Sequence, residues 1–178
     1  MHSASYHLYP LALKTLFTLS ILSGLSACSS DSPTTTPPAA GPDVLFPIRI
    51  GDRTVKVQLA VTPSETERGL SKHTELEPMQ GMLFIFRQPG SLRFWMKDTS
   101  IALDIGYFSR EGFLKEIYPM FPYNLDTIAS HDDQLQIALE VNQGWFAQNK
   151  IAVGAQLDMA TVRSALKARG FDLNEFGL

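Results

Sequence analysis

The stretch RFWMKDTSIALDI, residues 93–105, crowds an indole, two cations and two carboxylates among apolar side chains. Run straight as a strand, it places Leu92, Phe94 and Met96 on one face and Arg93, Trp95 and Lys97 on the other. The core claims the first set. Trp95 is left beside Arg93 and Lys97 on an outer or cleft face, a grouping suited to stacking on a sugar or planar ligand while the cations hold its acidic groups. The same grouping would also serve as a cation–aromatic contact with another part of the fold. Asp98 continues the parity of Leu92, Phe94 and Met96, so a straight strand sends a carboxylate toward the apolar side. That costs on the order of several kcal/mol unless the group is paired or hydrogen-bonded. Asp104, between Leu103 and Ile105, meets the same problem. Two desolvated carboxylates with Lys97, Arg68 and Glu67 available are what shifted pKa values and acid/base catalysis require. Each aspartate could equally cap loop N–H groups, or pair with Arg68 to pin a helix to a sheet. Glu140 shares a strand face with Gln136, Ala138 and Asn142, and either lines the same cleft or meets water. Trp145, after Gly144, reads as a core plug.

Other chemistries find less support. His131-Asp132-Asp133 is hydrophilic, but adjacent side chains diverge and no second histidine at helical spacing or cysteine pair joins them, so a solvated loop is expected. Met79, Met82, Met96 and Met120 with His73 would suit soft Cu(I), yet Met82 and Met96 sit in apolar strand patterns and read as core filling. No metal site and no cofactor are expected. There is neither a Gly-x-Ser-x-Gly elbow nor a phosphate loop. A formal charge of −3 without a basic cluster gives nothing to gather a phosphate backbone, so nucleic acid is not an expected partner.

The sole cysteine, Cys28, can form no internal disulfide and has no second thiol to resolve a redox cycle. Lys14, an apolar stretch from Leu16 to Leu25 and then small residues precede it, the order of a secretory signal. The stretch is about ten residues, against the roughly twenty that span a bilayer. Leu25-Ser26-Ala27-Cys28 resembles the lipobox of bacterial lipoproteins, which implies a lipidated Cys28 as the first mature residue and the anchor to the membrane. The alternatives are ordinary signal cleavage or an uncleaved anchor. Loss of residues 1–27 removes one lysine and two of the four histidines and leaves a net charge of −4. Ser29 stands where an inner-membrane lipoprotein would usually show aspartate, so the resemblance favours the outer membrane, facing the periplasm, within the cell envelope.

Residues 28–42 then form a Pro/Thr/Ser-rich linker, too poor in large apolar side chains to fold and expected as an extended tether. Folding begins near Val44. Val55, Val57, Leu59 and Val61 alternate as a half-buried strand, with Phe46–Ile50 as its hairpin partner through Gly51-Asp52-Arg53. Thr62-Pro63-Ser64-Glu65 is a capping box opening a helix to about Leu70, limited by Gly69. Gly81–Arg87 reads as a buried strand and Gln88–Ser91 as a turn into the strand Leu92–Lys97. Ile101–Phe108 and Phe113–Met120 flank a hairpin turn, and Leu135–Val141 alternates again. Asn142 is placed to cap a helical turn through Trp145, Ala155–Met159 to form a last strand, and Thr161–Arg169 a helix closed by Gly170. This is a mainly β, α+β chain: a compact β-sandwich or barrel with two or three short helices.

Residues 46–159 resemble the prokaryotic family catalogued as domain of unknown function 192. The resemblance is carried by Glu67-Arg68-Gly69-Leu70, Gly81-Met82-Leu83-Phe84-Ile85-Phe86, Phe94-Trp95-Met96-Lys97-Asp98-Thr99 with Leu103-Asp104, Leu139–Trp145 and Gly154, in order. It implies a compact β-rich barrel or sandwich with an early short helix, and no activity. The chain departs from the pattern at Ser71 and His73, where the family usually has methionine and arginine, and at Ala102, where proline is common. The family domain is therefore 43–159, with a C-terminal helix and tail at 160–178.

The expected function is an envelope lipoprotein that binds a small polar or carbohydrate-like ligand in a cleft. The alternatives are a hydrolase or lyase using Asp98 and Asp104 as acid and base, and a protein-docking scaffold marked by an exposed apolar patch. Cys28→Ala should move the protein from the membrane to the soluble fraction. Persistent membrane association of that variant would refute anchoring through Cys28.

Overall fold

In the computed structural model the described residues are 38–178; the signal segment 1–27, Cys28 and the tether as far as Pro37 lie outside them. Alternating apolar residues set the first hairpin, β1 (Phe46–Ile50) against β2 (Arg53–Ala60), with Ile48 opposite Val55 and Phe46 opposite Val57. Thr62 then caps α1 (Pro63–Arg68), its hydroxyl oxygen accepting from the Glu65 N–H while the Glu65 carboxylate accepts from the N–H groups of Thr62 and Val61 at 2.9 and 3.0 Å. Burial opposes ionisation of Glu65. The two N–H groups and the Arg169 guanidinium, 2.5 Å away, outweigh it and hold the pKa at about 2. Beyond α1 the chain enters β3 (Gln80–Gly90), which runs parallel to β2.

The remaining strands are β4 (Arg93–Phe94), β5 (Leu103–Ser109), β6 (Leu114–Met120), β7 (Ile128–Ala129) and β8 (Leu135–Asn142). Six of them form one mixed sheet in the order β1-β2-β3-β8-β5-β6, and β4 and β7 form a separate two-stranded ribbon. The fold is mainly β with short helices, as expected. Its sheet is open, with β1 and β6 at the edges, and does not close into a barrel.

Each face of the sheet carries its own core. On one side Leu83, Ile85, Ile137, Leu139, Val141 and Phe108 pack against α2 (Trp145–Gln148), α3 (Met159–Ala168) and a final 3-10 turn (Leu173–Phe176). On the other, Met82, Phe84, Ala138, Leu103, Ile105 and Tyr107 meet Leu70, Leu92 and Met96, with Phe94 and Ile128 of the ribbon packed against them. β5 and β8 are consequently buried along nearly their whole length.

Several local expectations change. Instead of turning at Gln88–Ser91, β3 continues to Gly90 through a register shift between Ile85 and Gly90. The strand expected over Leu92–Lys97 is only two residues long, because its partner β7 has only Ile128 and Ala129 to offer. Ala155–Met159 forms no strand: Gln156 and Leu157 make isolated bridges to Phe113 and Ile50, and Asp158 already caps α3 by accepting from the Ala160 N–H. Gly144, not Asn142, caps α2, and Asn142 instead donates its side-chain N–H to the carbonyls of Leu76 and Glu77. At the start of the described chain, the Ala40 N–H donates to the Ala168 carbonyl at 2.7 Å, so the last residues of the expected tether are tied to the end of α3.

Gly106 on β5 shows how tightly the helical side is packed. A Cβ there would stand 2.6 Å from the Phe146 ring of α2. Gly106→Ala should lower unfolding free energy by about 1–3 kcal/mol, measured by urea titration, and Phe146→Leu in the same chain should restore part of the loss.

Candidate functional site

Among the buried polar side chains of the central strands β5 and β8, the partners of Gln136, Asp104 and Glu140 separate scaffold from candidate site. Gln136 on β8 donates through Nε2 to the carbonyls of Phe86 at 2.8 Å and Phe176 at 2.7 Å, and its Oε1 accepts from Arg110 Nε at 2.9 Å. Asp104 on β5 accepts from the Gly144 N–H at 2.8 Å, which fixes the turn into α2; burial raises its pKa against the pull of that hydrogen bond. Both are satisfied by the fold itself. Glu140 on β8 is the exception. It is 4% exposed and stands between Met82 of β3 and Ile105 of β5. Burial alone pushes its pKa up to about 8, with neither a hydrogen bond nor a cation among the described residues to offset it.

Glu140 opens onto a cavity of about 250 Å³ between the sheet and the segments that cover it. Phe84, Phe86 and Leu103 of the sheet line it with Glu140; α1 and the turn after it supply Thr66, Glu67, Arg68, Gly69, Leu70 and Ser71; the β4 segment supplies Arg93, Phe94, Trp95, Met96 and Thr99. The wall is an aromatic cluster. Phe94 meets Phe84 edge-on with centroids 4.9 Å apart, and Phe86 and Tyr107 at 6.3 and 5.9 Å. Tyr107 donates its hydroxyl proton to the Ile128 carbonyl at 2.8 Å, and burial with the nearby Glu140 and Glu116 charges raises its pKa strongly.

Four of the seven residues singled out for ligand binding or catalysis therefore meet at one cavity: Glu67, Arg68, Trp95 and Glu140. Lys97, Asp98 and Asp104 are not among its lining residues. Trp95 is 52% exposed, and the Lys97 ammonium lies 5.5 Å over its ring, so the cation–aromatic contact forms within the segment itself. Asp98 does not enter the core: the strand has ended, the residue takes a left-handed turn with φ of 56°, and its side chain is exposed. Asp104 lies on the helical side of the sheet, in the parity of Gly106 and Phe108, away from the cavity. The two aspartates do not form an acid/base pair, and neither pairs with Arg68. Ser71, one of the departures from the family pattern, lines the cavity and donates to the Lys97 carbonyl at 3.2 Å; His73 lies outside it.

Sequence reasoning did not single out Phe84, Phe86, Thr66 or Thr99 as site residues, and took Phe94 as core. The parity of Phe84 and Phe86 was legible, but their position beside Glu140 follows from the pairing of β3 with β8, which no local pattern encodes. No group of three or more His, Cys, Asp or Glu that could hold a metal occurs among the described residues. His131 and Asp132 instead donate their backbone N–H groups to Glu116, whose carboxyl is held low by these and by Tyr118 against the opposing effect of burial. Of the methionines, Met82, Met96 and Met120 are buried in the core.

The DUF192 family (uncharacterized ACR) matches residues 46–159. Among solved structures, a candidate transcription regulator from Sinorhizobium meliloti 1021 is similar with a TM-score of 0.62 and 27% identity over 65% of this chain and 93% of that one. A protein of unknown function from Novosphingobium aromaticivorans DSM 12444 is similar with a TM-score of 0.62 and 28% identity, over 67% and 94%. No curated protein matches.

Because Glu140 keeps its proton in the folded chain up to about pH 8 and loses it near 4.5 when unfolded, its stabilising contribution is complete below about pH 4.5 and is lost as pH rises through 8. Glu140→Gln should flatten that loss. The unfolding free energies of the two chains, from urea titration, should diverge between pH 5 and 9 in favour of the variant, by an amount on the order of a few kcal/mol; parallel curves would place the Glu140 titration elsewhere.

Proposed function

This chain belongs to the DUF192 family, and on that premise we propose that it is a small-ligand-binding domain carried in the cell envelope on a lipidated Cys28. The observation that supports binding is the Glu140 carboxyl, buried on the middle strand without a partner among the described residues and open to an aromatic-walled cavity. Burying such a group without compensation is unfavourable, so its retention is rational where a ligand completes its interactions. Concave sites lined by aromatic side chains with a few convergent polar groups are the usual form of a small-molecule site. The volume of about 250 Å³ suits a compact polar molecule. Trp95, half exposed at the lining, would give it a flat surface to enter along.

The outer-membrane position, facing the periplasm, follows from the same resemblance of the signal and from Ser29. The regulator description of the Sinorhizobium protein is not carried over, because a chain of net charge −3 presents no basic cluster for nucleic acid. A hydrolase or lyase built on Asp98 and Asp104 is disfavoured by their separation. A docking scaffold is the second reading. It is favoured by Phe121, Tyr123 and Leu125, exposed on a loop hydrogen-bonded to the 96–99 segment through Met96 N–H to Asn124 O and Tyr123 N–H to Thr99 O.

Thermal-shift screening of the full chain against amino acids, monosaccharides and other small envelope metabolites should find compounds that raise the melting temperature. Glu140→Gln and Phe94→Leu should abolish that rise. Silence across the panel, or an equal shift in the variants, would remove the pocket as the binding site.

A further inference from the structure

The polar groups around the cavity are of two kinds. Three hydroxyls line it, and each has committed its proton to the chain: Thr66 to the Pro63 carbonyl at 3.0 Å, Ser71 and Thr99 to the Lys97 carbonyl, each at 3.2 Å. The charged groups are the uncommitted ones. Glu140 is at the floor, on the sheet. Arg68 at the end of α1 and Arg93 at the start of β4 are on the covering segments, exposed, with Glu67 beside them. Arg49, Arg87 and Arg169 make the three ion pairs found among the described residues; among the same residues Arg68 and Arg93 make no ion pair and no side-chain hydrogen bond. The four charges sum to zero when Glu140 is ionised, with an isolated negative charge inside and the positive charges toward the mouth.

We propose that the cavity binds a compact zwitterion, its primary ammonium seated on Glu140 within the aromatic wall and its carboxylate held at the mouth by Arg68 and Arg93. This rests on reading the cavity as a small-ligand site and names the ligand class.

Neutral sugars fit less well. A sugar needs a dense set of donors and acceptors on several sides, whereas the hydroxyls here have no proton left to give. A buried carboxyl without a cation is complemented by a ligand cation, which releases the Glu140 proton to solvent as it seats, and the rings of Phe84, Phe86 and Phe94 lining the same cavity add their attraction for an ammonium group. Tyr107, whose hydroxyl feels the charge of Glu140, already donates to the Ile128 carbonyl and does not hydrogen-bond the carboxyl. At the other end, guanidinium groups match a carboxylate in planar, two-point hydrogen bonding. The cavity volume limits the span between the two ligand charges to a few carbon atoms.

The test is titration calorimetry of the full chain in detergent with straight ω-amino acids from glycine to 6-aminohexanoate. Alkylamines and alkyl carboxylates of matching length, and glucose, serve as comparators. One chain length should bind at least tenfold more tightly than its amine half, its acid half and its longest homologue. Glu140→Gln should weaken that ligand at least tenfold. Arg68→Gln with Arg93→Gln should lower its affinity to that of the amine half, whose own binding is unchanged; all these substitutions are at exposed positions or isosteric, and folding is checked by circular dichroism. Equal affinities across the series and its halves, or wild-type binding by Glu140→Gln, would overturn the assignment. If glucose binds and the amino acids do not, the zwitterion is wrong while the pocket stands. If none of these probes and nothing in the wider metabolite panel binds, the pocket reading fails with it.

Discussion

Strand β8 is hydrogen-bonded along both edges, to β3 and β5, and covered on both faces. Every side chain on it must therefore be apolar, satisfied within the protein, or completed from outside. Ile137, Leu139 and Val141 take the first course and Gln136 the second, with its amide spent on Phe86, Phe176 and Arg110. Glu140 takes neither. A carboxyl group at the centre of a doubly covered sheet is costly to hold, and costlier still to ionise, and the rest of the site is arranged around it.

What covers Glu140 is held in place by satisfied polar contacts. The capping box at Thr62 fixes the start of α1, and the Glu65–Arg169 pair ties that start to the end of α3, with Arg169 also donating to the Leu59 carbonyl at 3.0 Å. On the other side the β4–β7 ribbon and the Leu92 N–H, which donates to the Ser130 hydroxyl at 3.0 Å, hold Phe94 over the sheet. Neither α1, with no buried residue of its own, nor the two-residue β4 could stand alone. Their positions come from these ties, and the cavity is the space left between them and the sheet.

Much of the scaffold was legible residue by residue. The capping box, the β1–β2 hairpin, the β5–β6 hairpin and the last helix all follow from short-range chemistry, and all are present. The readings that changed share one cause. The pattern of Leu92–Lys97 is that of a strand, but a strand requires a partner of equal length, and β7 has two residues. Once the strand stopped after Phe94, the parity that sent Asp98 inward no longer applied. Alternation along Leu135–Val141 left the face of Gln136 and Glu140 open to either a cleft or water, and the sheet order, with β8 in the middle, buries both and sets Glu140 at the cavity.

The sequence by itself determined the secondary-structure class, the capping box of α1, the family and the residue types available for chemistry, because these show in the identity and spacing of residues along the chain. It also drew attention to Asp98 and Asp104, whose apolar neighbours made them conspicuous. Only the tertiary structure decided that Asp104 is tied to Gly144, that Asp98 turns out to solvent, and that Glu140 is a buried carboxyl with no partner among the described residues. The reason is physical: whether a polar group is satisfied depends on what the pairing of distant strands brings to it, and the separation between Met82, Ile105 and Glu140 along the chain is closed only by the sheet.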